Sequence, residues 1–301
     1  MSDDINMLHS QFSESSITDD VVRGDLIISF DNKTITIKYD LSMKHYLQRS
    51  LYCNAKDNHH YEPDFVTIIF KTLKPGDTFI DIGSNFGYFT LLASAIVGEE
   101  GRVIAFEPEA FNFSCLTNNI NLNKSRNITA FNIALGNEER KSILYFDNAN
   151  DGGHTLWGIR KETYDAVGMH EPSKQIIQER TLDNVILENK ISSIKIIKID
   201  AEGWDYNILV GSVNTIRKFN VPIILAEIYT EGLEKSGSSE RLYRRFLKEL
   251  GYNMYIAHPT PQGSTFLALV DDNSSHGNAY NAIFSNTQYL ASFTQCIHFF
   301  E

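Results

Sequence analysis

The chain has 301 residues, of which 42% are hydrophobic and 22% are charged; 27 Lys and Arg against 38 Asp and Glu give a formal net charge of −11. This is the composition of a globular protein long enough to bury a core without disulfides or metals. The negative charge repels phosphate backbones and acidic lipid surfaces, so we expect neither nucleic acid nor a membrane as a partner.

The cysteines and the N-terminal segment bear on location. Cys53, Cys115 and Cys296 are far apart and form no C-x-x-C pair, which is typical of reduced thiols in the cytoplasm. The chain has no Lys or Arg before Asp20 and no apolar stretch there, so we expect no signal peptide. No apolar run approaches the roughly 18 residues of a membrane span. The sequence therefore predicts a soluble, cytoplasmic protein.

The first 74 residues divide into two predicted parts. Residues 1–23 are polar and acidic without a period, which predicts a flexible acidic tail. Residues 24–74 form a cap: Leu26–Phe30 and Thr34–Tyr39 are typical of a β-hairpin, and apolar residues at helical spacing predict a helix after Pro63.

Residues 75–301 are predicted to form one α/β domain. Short apolar strands alternate with amphipathic helices, a pattern typical of a doubly wound, Rossmann-like sheet that is mostly parallel. Ligands bind such sheets at the carboxyl ends of the strands. We predict strands at Thr78–Ile82, Arg102–Phe106, Ile128–Ile133, Ile194–Ile199 and Pro222–Ile228, an antiparallel closing pair at Met254–Ala257 and Phe266–Val270, and helices at Gly87–Val97, Ala110–Asn121, Leu182–Leu187, Tyr206–Phe219 and Glu240–Leu250.

One segment interrupts this alternation. Residues 151–178 show no clean period, and connections of this length are usually functional loops, so we predict a flap beside the substrate. Trp157, Arg160, Lys161 and Tyr164 in the flap are candidates for binding a sugar or an anionic group.

A glycine-containing turn is the strongest functional motif. Asp81-Ile82-Gly83-Ser84-Asn85-Phe86-Gly87 stands between a predicted strand and a predicted helix. Its glycines permit a tight turn, and the helix that follows offers N–H groups to an anion. A dinucleotide fingerprint needs glycine where Asn85 stands. The spacing therefore favours S-adenosylmethionine, with an NAD-dependent oxidoreductase as the alternative.

Glu107 follows the next predicted strand, 24 residues after Gly83. This is close to the offset of about 20 residues at which an acid binds ribose hydroxyls in nucleotide-binding sheets. The turn and the acid together predict a nucleoside site, whereas the structural alternative is an ordinary strand-to-helix turn with a surface glutamate.

Five blocks in order resemble one family: Lys74–Thr90, Phe106–Pro108, Asn132–Gly136, Thr181–Asp183 and Lys198–Gly203. From about Tyr61 to Tyr229 the chain resembles the FkbM family of S-adenosylmethionine-dependent methyltransferases. The resemblance implies a class I methyltransferase fold with a seven-stranded sheet. It also implies methyl transfer to a hydroxyl oxygen, with a small molecule as acceptor: a sugar, a glycan or a secondary metabolite.

The same resemblance implies cofactor-binding residues: Asp81, Gly83, Asn85 and Gly87 around the methionine portion, Glu107 at the ribose, and Asn132 and Ala134 beside the adenine. Glu62 lies in a short block ahead of the turn. It is either a contact to the methionine end or an acid that interacts with a helix N-terminus.

Methylation of a hydroxyl benefits from a base that withdraws the proton as the new bond forms. Asp200 and Glu202 follow the fourth parallel strand at positions i and i+2, so an extended backbone points both into the cleft. We favour one of them as the base, against a purely structural role at the next helix. Glu227, near the end of the fifth strand, and His154, in the flap, are placed to reach the same space.

Two further alternatives concern the chemistry. Asp200, Glu202 and Glu227 offer the oxygen ligands that Mg²⁺ prefers, but no dedicated ligand spacing is visible, so we favour a protein base. A catalytically silent nucleotide-binding module would retain the turn and Glu107 without acceptor chemistry. The sequence identifies neither the acceptor nor the oligomeric state.

Overall fold

The computed structural model describes residues 8–18, 20–147, 150, 152–158, 173–259, 265–271, 274, 276–286, 289 and 299–300. Its strands are β1 (His9–Thr18), β2 (Val21–Phe30), β3 (Lys33–Ser42), β4 (Thr78–Ile82), β5 (Arg102–Phe106), β6 (Ile128–Phe131), β7 (Ala134–Leu135), β8 (Arg140–Tyr145), β9 (Lys174–Arg180), β10 (Ile196–Ile199), β11 (Ile223–Tyr229), β12 (Tyr252–Pro259), β13 (Thr265–Leu269), β14 (Ala279–Asn286) and β15 (Phe299–Phe300). Its helices are α1 (Tyr46–Lys56), α2 (Pro63–Thr72), α3 (Tyr88–Val97), α4 (Ala110–Asn123), α5 (Leu182–Glu188), α6 (Asp205–Val210), α7 (Val213–Phe219), α8 (Thr230–Lys235) and α9 (Glu240–Glu249).

The central sheet has the order β15-β13-β12-β14-β11-β10-β4-β5-β6. Strands β6, β5, β4, β10 and β11 are parallel, and β12 pairs antiparallel with β13. The predicted doubly wound sheet and its antiparallel pair are therefore confirmed. The seven strands from β6 to β12 form the implied seven-stranded sheet, but β14 lies antiparallel between β11 and β12, a strand that the sequence analysis missed.

Alternating residues of the buried strands face two cores. Phe79 of β4 packs in a core with α2, α3 and the N-terminal strands, whereas its neighbour Ile80 packs in the opposite core with α5, α6 and α9. Both residues are fully buried. This alternation follows from the two-residue period of a strand. Because both faces of the sheet are covered, the open side is the one at the carboxyl ends of β4, β5, β10 and β11.

The predicted tail is wrong for residues 9–18, which form strand β1 paired antiparallel with β2. Backbone hydrogen bonds hold this polar strand, and Phe12 is its anchor: it is buried and its ring meets the Tyr52 ring edge-on at 5.5 Å. With so few buried apolar side chains, the strand shows little hydrophobic period. Residues 1–7 and 19 lie outside the described residues.

The predicted hairpin is confirmed as β2 and β3, and the predicted helix as α2. Asparagines of α4 cover the outer edge of β3: Asn123 Oδ1 accepts from Lys38 N at 2.8 Å, and Asn119 Oδ1 accepts from Asp40 N at 3.2 Å. The cap shares one hydrophobic core with α3 and β4, so it is packed against the sheet that carries the site.

Two predicted segments differ in detail. The helix predicted over Tyr206–Phe219 is two helices, α6 and α7. They are separated at Gly211, which packs against the Gly136 carbonyl and leaves no room for a side chain there. The end of the predicted flap is strand β9, which pairs with β7 and β8 in a small separate sheet. Arg160, Lys161 and Tyr164 lie outside the described residues.

Among the described residues, no helix combines the length and the apolar character needed to cross a bilayer.

Candidate active site

A cavity of about 220 Å³ opens at the carboxyl ends of the central strands. It is lined by eight of the predicted site residues: Glu62, Gly83, Asn85, Glu107, Ala134, His154, Asp200 and Glu202. Three others, Asp81, Gly87 and Asn132, are not part of its wall. The fold therefore brings the candidate cofactor residues and the candidate acceptor residues to one continuous cavity.

The turn after β4 uses its own backbone donors. The amides of residues 83–87 all donate hydrogen bonds within the protein, so the turn has no backbone N–H left for a ligand anion. The amides of Gly83 and Ser84 donate to Phe106 O at 3.0 Å each, Asn85 N to Glu107 Oε2 at 2.8 Å, Phe86 N to Asn85 Oδ1 at 2.8 Å, and Gly87 N to Ser84 O at 2.9 Å. The expectation that the following helix offers N–H groups to an anion concerns the amides from Tyr88 onward and stays a prediction.

Glu107 links the turn to the end of β5. Its carboxylate accepts from Asn85 N and from Glu109 N, each at 2.8 Å, and the side chain lines the cavity while the residue is only 5% exposed. Burial raises the pKa of Glu107 to about 8. Its carboxyl group is therefore fixed in direction at the cavity wall, where it can accept hydrogen bonds from a polar ligand.

The remaining residues of the motif serve the framework. Asp81 is fully buried and its Oδ2 accepts from Thr90 Oγ1 at 2.5 Å, which ties β4 to the first turn of α3. Gly87 adopts a φ of +97° immediately before α3. Asn132 is exposed, and its amide donates to Glu107 O at 2.8 Å, so it acts on the cavity only through the backbone of the β5 end.

Apolar side chains form one end of the cavity. Phe106, Ile133, Ala134, Leu135 and Leu144 line it beside Glu107. Phe106 also stacks on Phe131, with ring centroids 5.5 Å apart. A flat, apolar slot next to a hydrogen-bond acceptor suits an aromatic base joined to a hydroxylated ring.

Carboxyl groups form the other end. Asp200, Glu202 and Glu227 each offer an oxygen within 4.8 Å of the others. Burial, followed by the Asp200 charge, raises the pKa of Glu202 well above its usual range and raises that of Glu227 to about 10. Like charges this close cannot all ionise at neutral pH, so this end of the cavity holds protons that it can give up.

A lysine that the sequence analysis missed lies beneath these acids. Lys198 is 2% exposed, its Nζ lies 2.9 Å from Asp200 Oδ2, and it sits 5.1 Å from the centre of the Phe89 ring. Burial acts to lower the Lys198 pKa, but attraction to Asp200, Asp81 and Glu62 outweighs it. A lysine inside the apolar run 196–199 was the available signal, because buried lysines need charged partners.

The structure decides one of the two structural alternatives for these acids. Asp200 does not cap the next helix; Asp205 accepts from the Gly203 amide at 3.0 Å and holds that turn instead. Glu62 stands at the N-terminus of α2 without a side-chain cap, so its interaction with that terminus stays a prediction, as does its contact to the methionine end. Burial raises the Glu62 pKa to about 7, and Lys198 opposes that rise, so Glu62 belongs electrostatically to the cavity.

His154 and Trp157 cover the acidic end. His154 Nδ1 accepts from Asp147 N at 3.1 Å, and the imidazole contacts the Phe146 ring with centroids 5.0 Å apart. Trp157 Nε1 donates to Glu202 O at 2.7 Å, and Lys235 Nζ lies 4.8 Å from its ring centre. Part of the predicted flap thus packs against the turn that carries Glu202.

The sequence model of one family matches this chain: the methyltransferase FkbM domain, over residues 81–254, which is more than half of the 301 residues. The chain belongs to the FkbM methyltransferase family. The resemblance seen in the sequence is thereby confirmed, and the chain is a member of an S-adenosylmethionine-dependent methyltransferase family. A search of curated proteins gave no match.

Solved structures of similar fold are distant in sequence. An FkbM methyltransferase from Methylobacillus flagellatus is 14% identical with a TM-score of 0.44, and the match covers 79% of this chain and 54% of that one. A Streptococcus mutans protein described as a methyltransferase, solved in complex with SAH, is 9% identical with a TM-score of 0.42, covering 74% and 96%. An rRNA methylase from Streptococcus thermophilus is 6% identical with a TM-score of 0.39, covering 74% and 94%.

The central sheet and the family match together give a class I, Rossmann-like methyltransferase fold. The expected exclusion of nucleic acid stays a prediction. The acceptor is not established.

Proposed function

We propose that this protein is an O-methyltransferase that uses S-adenosylmethionine to methylate a hydroxyl group of a sugar, glycan or secondary metabolite. One observation carries the proposal: a single cavity joins the Glu107 and Gly83 region to Asp200, Glu202 and Glu227. Cofactor and acceptor can therefore meet there without a rearrangement of the sheet.

The cofactor end suits S-adenosylmethionine, which supplies an electrophilic methyl group when bound. Ile133, Ala134 and Leu144 would cover the adenine, and Glu107 would accept from the ribose hydroxyls. Glu62 and the turn carrying Gly83 and Asn85 would enclose the methionine portion. Asp81, Gly87 and Asn132 would act indirectly, through the turn and the strand end.

The acidic end suits an acceptor hydroxyl. The ionised carboxylate of Asp200 or of Glu202 would accept the hydroxyl proton while the oxygen forms its bond to the methyl carbon. Alignment of oxygen, carbon and sulfur supplies much of the acceleration. His154 does not suit the role of base, because its Nδ1 already accepts from Asp147 N and its Nε2 then carries the proton of the neutral ring.

The alternatives are less well supported. An NAD-dependent enzyme needs donors for a pyrophosphate, and the amides of residues 83–87 are all engaged within the protein. A polyanionic acceptor would approach five carboxyl groups at the cavity wall, those of Glu62, Glu107, Asp200, Glu202 and Glu227. This disfavours nucleic acid and favours an uncharged acceptor.

Calorimetry tests the cofactor assignment. We expect S-adenosylmethionine and S-adenosylhomocysteine to bind the wild type, and Glu107→Ala to weaken both at least tenfold because two ribose hydrogen bonds are lost. Glu99→Ala, the same substitution at an exposed position, is the matched control. Folded wild-type protein that binds neither ligand would contradict the proposal.

Turnover tests the acceptor side. With a methyl-labelled cofactor and a panel of sugars and hydroxylated metabolites, we expect the wild type to label at least one acceptor. Asp200→Asn or Glu202→Gln should slow that reaction by about 10²–10⁴-fold, the usual contribution of a general base, with little change in affinity for S-adenosylhomocysteine. Loss of activity in excess chelator would instead favour Mg²⁺ held by Asp200, Glu202 and Glu227, whose oxygens fit that ion.

A further inference from the structure

The cofactor turn and the acidic end of the cavity touch each other. A Cβ atom at Gly83 would overlap the backbone carbonyl oxygen of Asp200, so the ends of β4 and β10 are in van der Waals contact. A methionine portion seated on this turn would lie beside the strand end that carries Asp200, with Glu202 two residues farther along the chain.

The carboxyl groups beside the contact between β4 and β10 are only partly neutralised. Lys198 pairs with Asp200, whereas the carboxyl groups of Glu202 and Glu227 have no hydrogen-bond partner within the described part of the chain. The other charged groups that face them belong to three elements and one loop: Glu62 before α2, Lys198 and Asp200 at β10, Asp205 in α6, and Asp147 after β8. All of these except Lys198 are acidic.

A second observation indicates that the turn is shaped for a ligand. Ser84 is 5% exposed and belongs to the cavity wall, yet its Oγ has no hydrogen-bond partner among the residues that the structure describes. Buried polar groups are nearly always paired. An unpaired hydroxyl at this wall therefore points to a bound molecule that supplies the missing hydrogen-bond partner.

We propose that Glu202 and Glu227 discriminate between the two charge states of the cofactor's sulfur, so that the site retains the sulfonium donor and releases the neutral thioether product. The inference rests on the proposed function. When the methyl carbon bonds to the acceptor oxygen, the carbon–sulfur bond breaks and its electron pair stays on sulfur. The acceptor proton passes to a carboxylate, and the cation that the acids attracted no longer exists.

Binding measurements with three related ligands test this inference without knowledge of the acceptor. The ligands are S-adenosylmethionine, S-adenosylhomocysteine, and sinefungin, which carries an amine in place of the sulfonium methyl. We expect both cationic ligands to bind the wild type about tenfold more tightly than the neutral product at pH 7.5 and low salt, and we expect the preference to shrink at high salt. Binding of the cationic ligands should also release protons, seen in calorimetry as a heat that depends on the buffer, because a nearby cation favours the ionised carboxyl form.

Glu227→Gln and Glu202→Gln should each reduce the preference severalfold while leaving affinity for the neutral product unchanged. Two independent positions are used so that a folding defect in one leaves the other informative, and Glu234→Gln, at an exposed position, is the matched control. Equal or tighter binding of S-adenosylhomocysteine by the wild type would overturn the inference, as would an unchanged preference in both variants. A preference that appears only after Mg²⁺ has been removed would also overturn it, because the acids would then bind a metal ion in the working enzyme. Failure of the wild type to bind any of the three ligands would instead refute the proposed function itself.

Discussion

The two ends of the cavity are built by different means. At the cofactor end, a short segment after β4 makes a turn whose amides are all satisfied by its own atoms or by the end of β5. At the acceptor end, side chains just before α2, just after β10, in β11 and in the turn before α6 bring like charges together. The first arrangement fixes a shape, whereas the second concentrates charge.

This difference has an energetic consequence. A turn held by satisfied backbone hydrogen bonds stabilises the fold and changes little with pH. A cluster of buried acids opposes folding wherever it must ionise. The cofactor end therefore tolerates no change of shape, and the acceptor end is where stability and function respond to protonation.

Gly83→Ala is the most severe test of the cofactor end. The new methyl group would overlap the Asp200 carbonyl, and the φ of +76° disfavours any side chain. We expect a loss of about 3 kcal/mol or more in the free energy of unfolding, measured by urea denaturation. Gly76→Ala is the matched control: it has a φ of +89° with open space around it, and should cost only about 1 kcal/mol. Equal losses would show that the contact between the turn and β10 does not constrain the site.

The pH dependence of stability tests the acceptor end. Burial and neighbouring acids raise the pKa of Glu227 from its ordinary 4.5 to about 10. The stability that this group contributes is fully present below pH 4.5 and is lost as the pH rises towards 10, since the unfolded chain ionises first. We expect the ligand-free protein to melt at progressively lower temperature between pH 6 and 9.

Glu227→Gln should flatten that decline, because the amide does not titrate. Each pH unit over which Glu227 is protonated only in the folded state lowers the free energy of unfolding by about 1.4 kcal/mol. In Glu227→Gln, the decline of that free energy with pH should therefore be smaller by about 1 kcal/mol per pH unit. Differential scanning fluorimetry at constant ionic strength measures it, with Glu234→Gln as the control. A slope that is the same in wild type and Glu227→Gln would show that the acids are not coupled as the structure indicates.

The sequence predicted the cofactor end well because that end is built from residues that are contiguous in the chain. Strand, turn and helix at residues 78–97 are contiguous, and the glycines with positive φ lie at the positions where the motif needs them. The role of Asp81 was harder to predict, since a carboxylate in the motif looks the same whether it faces the cavity or, as here, binds Thr90 behind it.

The acceptor end was only partly predictable because its members are distant in the chain. Asp200 and Glu202 were found from their spacing after a strand. The pairing of Lys198 with Asp200, and the approach of Glu62 to the same charges, depend on how β10 and α2 pack. Strand β1 was missed for a different reason: its pairing with β2 is made by backbone atoms, which leave no hydrophobic pattern in the sequence.

The smallest expected effect concerns the cover of the acidic end. Trp157 holds the segment 152–158 on the Glu202 turn through one hydrogen bond to a backbone carbonyl and a cation contact from Lys235. Trp157→Ala should therefore cost about 1 kcal/mol in the free energy of unfolding and should speed proteolytic cleavage of that segment. Lys235→Gln removes the cation contact together with the exposed ion pair between Lys235 and Glu231, and should cost about half as much. Because neither side chain lines the cavity, cofactor affinity should be retained in both variants. A tenfold loss of S-adenosylhomocysteine binding in Trp157→Ala would mean that the cover shapes the cofactor end too, and that the two ends are less separate than their construction suggests.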